Sequence, residues 1–293
     1  MRDMRIGGVG IWSGELRRHE DEAAAGAAAA ELESLGFAAL WFPGGQGGPV
    51  LEAADRLLRA TERVPVATGI LNVWMHDPAE VARDRARLAQ AHPDRFLLGI
   101  GIGHRSAVDA KFDPGTYRKP LSTMRAYLDA LDAGPPPVPP GERVLAALGP
   151  KMLELARDRS AGAHPYFVGV EHTRVARETL GPGPLLAPEQ AVVLETDPAR
   201  AREIARTHTE RYLKLPNYTS NLLRHGLTER DIEGRGSDAL VDTVVAWGDG
   251  DAIRARIEEH FAAGADHVCV QVITGHPDEL PLAQWRELAA ALL

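Results

Sequence analysis

The chain has 293 residues, 44% of them hydrophobic and 25% charged, with a formal net charge of −8 and a pI near 5.8. That composition supports a soluble chain with a sizeable core, and the lack of any basic stripe or arginine–aromatic interleaving argues against nucleic acid as a partner. No run of about 18 apolar residues occurs, so no membrane partner is expected. The single cysteine, Cys269, excludes an internal disulfide framework and a cysteine-based zinc site. No metal site is expected, and the cytoplasm is the expected compartment.

Met4–Trp12 reads as a first strand, followed by an alanine-rich helix over Glu20–Leu35 that Gly36 stops. Phe37–Phe42 is a wholly apolar second strand, Pro43–Pro49 a glycine-rich loop and Val50–Thr61 a helix. Val64–Leu71 is the third strand. Asp77-Pro78 then gives an N-cap with proline at the first helical position, ahead of a helix over Ala79–Ala91.

Phe96–Ile102 is the fourth strand, within the run FLLGIGIGH, where glycine at 99, 101 and 103 removes side chains from one face. An irregular stretch, Asp109–Thr116, leads to a helix near Tyr117–Leu131. The proline-rich Gly134–Gly141 reads as a stiff connection under a barrel, because another buried strand, Val144–Gly149, follows at once. Lys151–Arg159 is helical, Ala161–Val168 the sixth strand and Glu171–Leu180 its helix. Gln190–Glu195 is the seventh strand, and Asp197-Pro198 caps a helix to about Tyr212. Leu213–Gly248 reads as a helical insertion without a strand. A helix over Asp251–Ala263, the eighth strand His267–Ile273 and a closing helix complete the chain.

Short, continuously apolar runs alternating with helices mark parallel strands buried on both faces. The expected fold is therefore α/β, a (β/α)8 TIM barrel forming one domain over residues 1–293, with a helical insertion at about 213–248 before the last strand. A doubly wound open sheet shares the local pattern, but His104 stands where a dinucleotide fingerprint needs its third glycine.

Active sites of such barrels lie at the C-terminal ends of the strands. That rule nominates Trp12, Phe42-Pro43, Gly69–Asn72, Gly103–Arg105, Leu148–Lys151, His164–Tyr166 and Gln271. The set is poor in carboxylates and rich in glycine and aromatics, which suits a flat cofactor that carries its own reactivity. Ala67–Asn72 is either an ordinary strand end or a bulge behind a ring. Gly149-Pro150 with Lys151 is either a capped helix start or a phosphate site. His164 reads as a core histidine or a polar ligand contact. His104-Arg105, a charged pair directly after a buried strand, is placed for a polar or anionic ligand. Arg118-Lys119 is either a solvated helix start or an extension of a basic rim.

Seven segments in order, LGFAALWFP, ATGILNVW, FLLGIGIGH, VLAALGPKMLELA, GAHPYF, YLKLPNYTSNLLRHG and AGADHVCVQV, resemble the luciferase-like monooxygenase superfamily, closest to its actinobacterial F420-dependent oxidoreductases. The resemblance covers nearly the whole chain. It implies an enzyme binding coenzyme F420, with FMN as the alternative, at the barrel mouth. In similar proteins a bulge with a non-proline cis peptide stands behind the ring, matched around Gly69, Ile70 and Asn72. The fourth-strand end lines the ring edge, matched by Gly101, Gly103 and His104. The phosphate lies at the fifth- and sixth-strand loops, matched by Leu148, Gly149, Pro150, Lys151, Gly162, Ala163 and His164, and Phe42 joins the cofactor set. After WFP, relatives usually carry an acid where this chain has Gly44-Gly45-Gln46-Gly47-Gly48.

The resemblance implies hydride transfer between the deazaflavin and a small organic substrate, with His104 in a polar or proton-handling role. The Ala/Arg/Gly-rich composition favours the deazaflavin over an FMN monooxygenase. A non-catalytic cofactor-binding protein is the reading from another class. A homodimer is expected, as in similar proteins.

Overall fold

The computed structural model describes residues 6–276 and 279–293; Met4 and Arg5 of the expected first strand lie outside them. The first half holds β1 (Gly8–Trp12), α1 (Glu15–Arg18), α2 (Glu22–Leu35), β2 (Leu40–Gly44), α3 (Val50–Ala60), β3 (Val66–Asn72), α4 (Pro78–Ala91), β4 (Phe96–Gly101), α5 (Arg105–Lys111) and α6 (Pro120–Ala133). The second holds β5 (Arg143–Leu145), α7 (Pro150–Arg159), β6 (Gly162–Ala163), α8 (Val170–Leu180), β7 (Leu185–Leu186), β8 (Glu189–Leu194), α9 (Pro198–Tyr212), α10 (Pro216–Arg224), α11 (Asp238–Val244), β9 (Val245–Gly248), α12 (Gly250–Ala262), β10 (His267–Val272) and α13 (Leu282–Leu292).

The TIM-barrel expectation holds. All strand pairs are parallel, in the order β7-β6-β5-β4-β3-β2-β1-β10-β8-β9. β7 and β8 are one extended segment broken at Ala187-Pro188, and that segment closes the ring. On one side Leu185 and Ala187 donate to the Ala161 and Ala163 carbonyls; on the other, Asp266 and Cys269 donate to those of Leu186 and Pro188.

The insertion needs correction, because it contains a strand. β9 pairs with β8 from Ala191↔Val245 to Leu194↔Gly248. β6 is only two residues long, so the upper part of β8 has no neighbour on that side, and β9 takes the vacant edge. The sequence hides this strand because α11 runs into it at Val244-Val245 with no turn residue between. The stretch after β4 is irregular only in part: Arg105–Lys111 is a helix that buries Val108, and the irregular chain begins at Phe112.

Several start and stop signals act as the sequence dictates. Asp77 and Asp197 cap α4 and α9 with their side chains, each ahead of a proline in the first turn, and Gly36 ends α2 in the left-handed region at φ 101°. The proline-rich connection runs beneath the barrel, where the Arg143 guanidinium donates to the carbonyls of Val138 and Arg159.

The barrel carries two apolar layers. Trp41, Ala67, Leu97, Val144 and Cys269 fill the interior, while Leu40, Phe42, Val66, Leu98 and Ile100 face the helices. Cys269 is fully buried, as a small core hydrophobe should be.

The register breaks at β3. It shifts between Phe42 and Gly44 against β2, and between Ala67 and Leu71 against β4. Within that bulge the Thr68 hydroxyl substitutes for the backbone ladder. It donates to the Gly99 carbonyl at 2.7 Å and accepts from the Gly99 N–H at 2.8 Å. The Thr68 carbonyl occupies the space a Gly99 Cβ would need, and a Cβ on Gly101 would come within 2.6 Å of Ile70 Cδ1. Gly103, at φ 64°, sits against the Asn72 amide. The alternate glycines of β4 therefore receive the bulge of β3.

A methyl group at position 99 must displace backbone. Gly99→Ala is expected to cost about 2–3 kcal/mol, a fall in Tm of roughly 4–10 °C for a chain of this size. Thermal unfolding followed by circular dichroism checks this, and an unchanged Tm would remove the steric account of the glycines.

Candidate active site

The mouth divides between a side built on β3–β6 and a side built on β10, α9 and α10. On the first, the bulge presents Ile70 beside Gly101 and contains the cis peptide Gly69-Ile70. The Asn72 amide is occupied by loops: it donates to the Gly45 carbonyl at 3.0 Å and accepts from the Trp74 N–H at 3.1 Å. Arg17 fixes the same glycine-rich loop by donating to the carbonyls of Pro43 and Gly47.

His104 stands just above β4. Its Nδ1 lies 3.0 Å from Asn217 Oδ1, which only accepts, so the proton sits on Nδ1 and Nε2 is left as a base. Its ring packs 5.2 Å from that of Tyr218. Burial lowers its pKa, so the imidazole is neutral at pH 7, against the smaller opposing effect of the Asn217 bond.

His164 is buried beneath the mouth. Nδ1 lies 2.7 Å from the Ala187 carbonyl and the ring stacks on Trp41, with centroids 4.4 Å apart. Burial brings its pKa down to about 4. Its Nε2 and the Trp12 Nε1 have no partner, and both lie close to Gly69, where a Cβ would meet His164 Nε2 at 2.9 Å. The core and ligand readings of His164 meet here, since one nitrogen is used by the fold and the other is free.

Two helices start side by side at the far edge. Gly149 and Gly169 are the N-caps of α7 and α8, and neither helix has a side-chain cap. A Cβ at Gly149 would meet nothing within 4 Å; Pro150 has no N–H and Met152 and Leu153 donate to the Gly149 carbonyl, so the Lys151 N–H is the first-turn donor of α7 without a partner. His172 donates from Nε2 to the Leu148 carbonyl at 3.0 Å, its Nδ1 is unpartnered, and its ring lies 5.0 Å from that of His225. Arg224 and Lys151 bring cationic groups to this corner, beside His225, whose pKa burial lowers so that its ring is neutral at pH 7. Uncapped helix starts with a free imidazole nitrogen suit a phosphate, and the apolar bulge suits a flat ring.

Three of the expected site residues are not at the mouth. Phe42 is fully buried in the layer between barrel and helices, on the face opposite Trp41. Gly162, at φ 153°, lies below His164 with the Leu185 backbone against it, and Ala163 is in the core. Leu148, Gly149, Pro150 and Lys151 do gather at the α7 start.

The second side was less visible in the sequence. The Tyr166 hydroxyl lies 2.8 Å from the Tyr212 hydroxyl and donates to Gln271 Oε1 at 2.8 Å. Phe167, His208, Tyr212 and Tyr218 pack around it. A cavity of about 100 Å³ opens beside this cluster, lined by Glu15, Arg18, His208, Arg211, Gln271 and Thr274 among others. Glu15 accepts from the Ser13 hydroxyl at 2.6 Å and pairs with Arg18 at 3.6 Å, so an acid does stand at the mouth.

A second acid, Glu189, faces the barrel interior and is 1% exposed. Its neighbour Gln190 points the other way, bonded to His260 of α12. Glu189 Oε2 accepts the Phe167 N–H at 3.1 Å, while Oε1 has no partner and no cation acts on the group. Burial pushes its pKa up to about 8, opposed only by the Phe167 N–H, so it is a neutral acid at pH 7. The signal available in the sequence was an acid opening an apolar strand, EQAVVL, directly after Ala187-Pro188. Among the described residues no cluster of three or more potential metal ligands occurs, and no helix is long and apolar enough to cross a membrane.

The sequence profile of the luciferase-like monooxygenase family matches residues 12–267. A 5,10-methylenetetrahydromethanopterin reductase of Methanolobus tindarius is 24% identical over 292 residues, covering 84% of this chain and 87% of that protein. Among solved structures, an F420-dependent secondary alcohol dehydrogenase in complex with an F420-acetone adduct superposes with a TM-score of 0.73 at 16% identity, over 98% of this chain and 99% of that one. An FMN complex of the oxygenating constituent of 3,6-diketocamphane monooxygenase of Pseudomonas putida superposes with a TM-score of 0.68 at 15% identity, over 98% and 97%.

Glu189 links stability to pH. An unfolded carboxyl loses its proton near pH 4.5, whereas the folded one keeps it to about 8. The native state therefore binds more protons in that window, and its stability falls as pH rises from 4.5 to 8 before levelling. Glu189→Gln cannot ionise, so its stability relative to the parent is expected to gain roughly 3–5 kcal/mol between pH 5 and pH 8.5. Urea unfolding at the two pH values measures this, and a pH-independent difference would show that Glu189 is not held neutral.

Proposed function

The chain belongs to the luciferase-like monooxygenase family, and we propose that it is an oxidoreductase that binds coenzyme F420 at the barrel mouth. The observation carrying this reading is the bulge of β3, set into the glycines of β4, which puts Ile70 in a mouth whose far edge holds the uncapped starts of α7 and α8. Ile70, Gly69, Gly101 and Gly103 would back the ring and line its edge, and the first turns of α7 and α8 would hold the phosphate. The F420-dependent secondary alcohol dehydrogenase of the same fold supports the deazaflavin. So do Lys151 and Arg224, whose positive charges suit a tail more acidic than a single phosphate.

When bound, the cofactor supplies the hydride. The chain's own work is to position ring and substrate, to exclude water and to manage one proton. Asn217 and Tyr218 of α10 contact His104, and Tyr212 contacts Tyr166, so the segment after β8 closes the mouth over both sides. His104, neutral with Nε2 unprotonated, would be a polar contact to the ring or substrate. FMN is the second reading for the cofactor, favoured by the FMN-bound monooxygenase of the same fold.

Separate titrations of the purified protein with FMN and coenzyme F420, followed by absorbance and fluorescence, decide the cofactor. Micromolar or tighter binding of F420 is expected, and binding of FMN alone would overturn it. Binding without oxidation of the reduced cofactor by any of a panel of substrates would favour a non-catalytic binding protein. His104→Ala is expected to slow turnover by about tenfold or more, with the cofactor Kd shifting by less than about threefold. Unchanged turnover would remove His104 from the chemistry.

A further inference from the structure

We propose that the Tyr166 hydroxyl is the proton donor to the substrate oxygen, and that the carboxyl of Glu189 is the positioning group that aims it. This rests on the oxidoreductase reading above and goes beyond it by naming the proton path and a class of substrate, a carbonyl compound.

Tyr166 leaves the end of β6 into the mouth, where its ring lies 5.2 Å from that of Trp12. Its hydroxyl hydrogen goes to Gln271 Oε1, and Gln271 also lines the cavity of about 100 Å³. A carbonyl oxygen entering from that cavity takes the place of Gln271 as acceptor. Burial, with the neighbouring hydroxyls and Glu189 adding to it, raises the Tyr166 pKa well above that of a free phenol. The hydroxyl therefore stays protonated until a strong base forms next to it. Hydride arrival at the carbonyl carbon makes such a base.

The balance is simple. The substrate gains a hydride from the reduced cofactor at carbon and a proton from Tyr166 Oη at oxygen. The Tyr166 O–H bond breaks, an alcohol O–H bond forms, and solvent returns a proton to the phenolate. The Tyr212 hydroxyl at 2.8 Å stabilises the phenolate by donating to it.

Glu189 explains why Tyr166 points this way. The next residue, Phe167, adopts φ 57°, a left-handed conformation that a bulky side chain takes only under constraint. Its N–H donates to Glu189 Oε2 at 3.1 Å, from a carboxyl buried inside the barrel. The titratable groups facing Glu189 are Tyr166 after β6, Tyr212 of α9, Tyr218 of α10 and Cys269 of β10, all uncharged at pH 7. Ionisation of Glu189 places a negative charge among three phenols and makes Tyr166 a weaker acid. Turnover should therefore fall as pH rises through about 8.

The test uses the full chain with reduced coenzyme F420 and a panel of aldehydes and ketones, plus infrared spectra of the cofactor-free protein. Tyr166→Phe is expected to lower turnover by about 10²–10³-fold, with cofactor Kd within about threefold of the parent. Glu189→Gln should lower turnover about three- to tenfold and abolish the fall near pH 8, and Glu189→Leu should lower it further. A carboxylic-acid C=O band should be present at pH 7 in the parent and absent from Glu189→Gln. Parent turnover that persists in Tyr166→Phe, an alkaline fall that survives in Glu189→Gln, or a missing acid band each overturns the inference while leaving the oxidoreductase reading intact. No parent turnover with any acceptor would instead overturn that reading.

Discussion

The mouth of this barrel depends on one exchange of partners, in which the Thr68 hydroxyl replaces backbone atoms in the ladder to Gly99. Bulging β3 leaves a donor and an acceptor of β4 without their usual partners, a cost comparable to losing buried hydrogen bonds. A single hydroxyl satisfies both. With the ladder repaired, the chain can turn Ile70 into the mouth and send Asn72 to fasten the loop at Gly45. The glycines at 99 and 101 follow from the same constraint, since a side chain at either would occupy space that Thr68 or Ile70 already fills.

The two sides of the mouth solve different electrostatic problems. At the α7 and α8 starts, unpaired N–H groups and nearby cations favour an anion without using any acid or metal. Around Tyr166 the interior holds polar groups neutral instead. His164 and His208 are pushed down to about 4 and about 3, and Glu189 up to about 8, each chiefly by burial. At neutral pH the groups buried around Tyr166 carry almost no charge, while Glu15, Arg18 and Arg211 stand at the adjoining cavity, and an uncharged interior suits movement of a proton beside a hydride.

Closure ties the two sides together. β6 ends after two residues, and the wall above it is made by Tyr166, Phe167 and the aromatics of α9 and α10. β9 then pairs with the exposed edge of β8 and anchors the segment that delivers those aromatics. The short strand is thus the opening through which the insertion reaches the site.

Local pattern was enough for the alternation of buried strands and helices, for the caps at Asp77 and Asp197, and for the buried state of Cys269. Apolar periodicity and turn chemistry act over a few residues, so the barrel and the rule that its site lies at the strand ends were both legible in the sequence. β9 was not, because no turn residue separates it from α11 and its partner edge exists only once β6 has ended. The roles of the β4 glycines were not legible either, since each answers an atom of β3 about thirty residues earlier in the chain. Glu189 reads in sequence as the polar start of a strand. Only the closed barrel, which turns it inward against Phe167 with no cation in reach, makes it a neutral acid, because burial depends on the whole fold and not on the neighbouring residues.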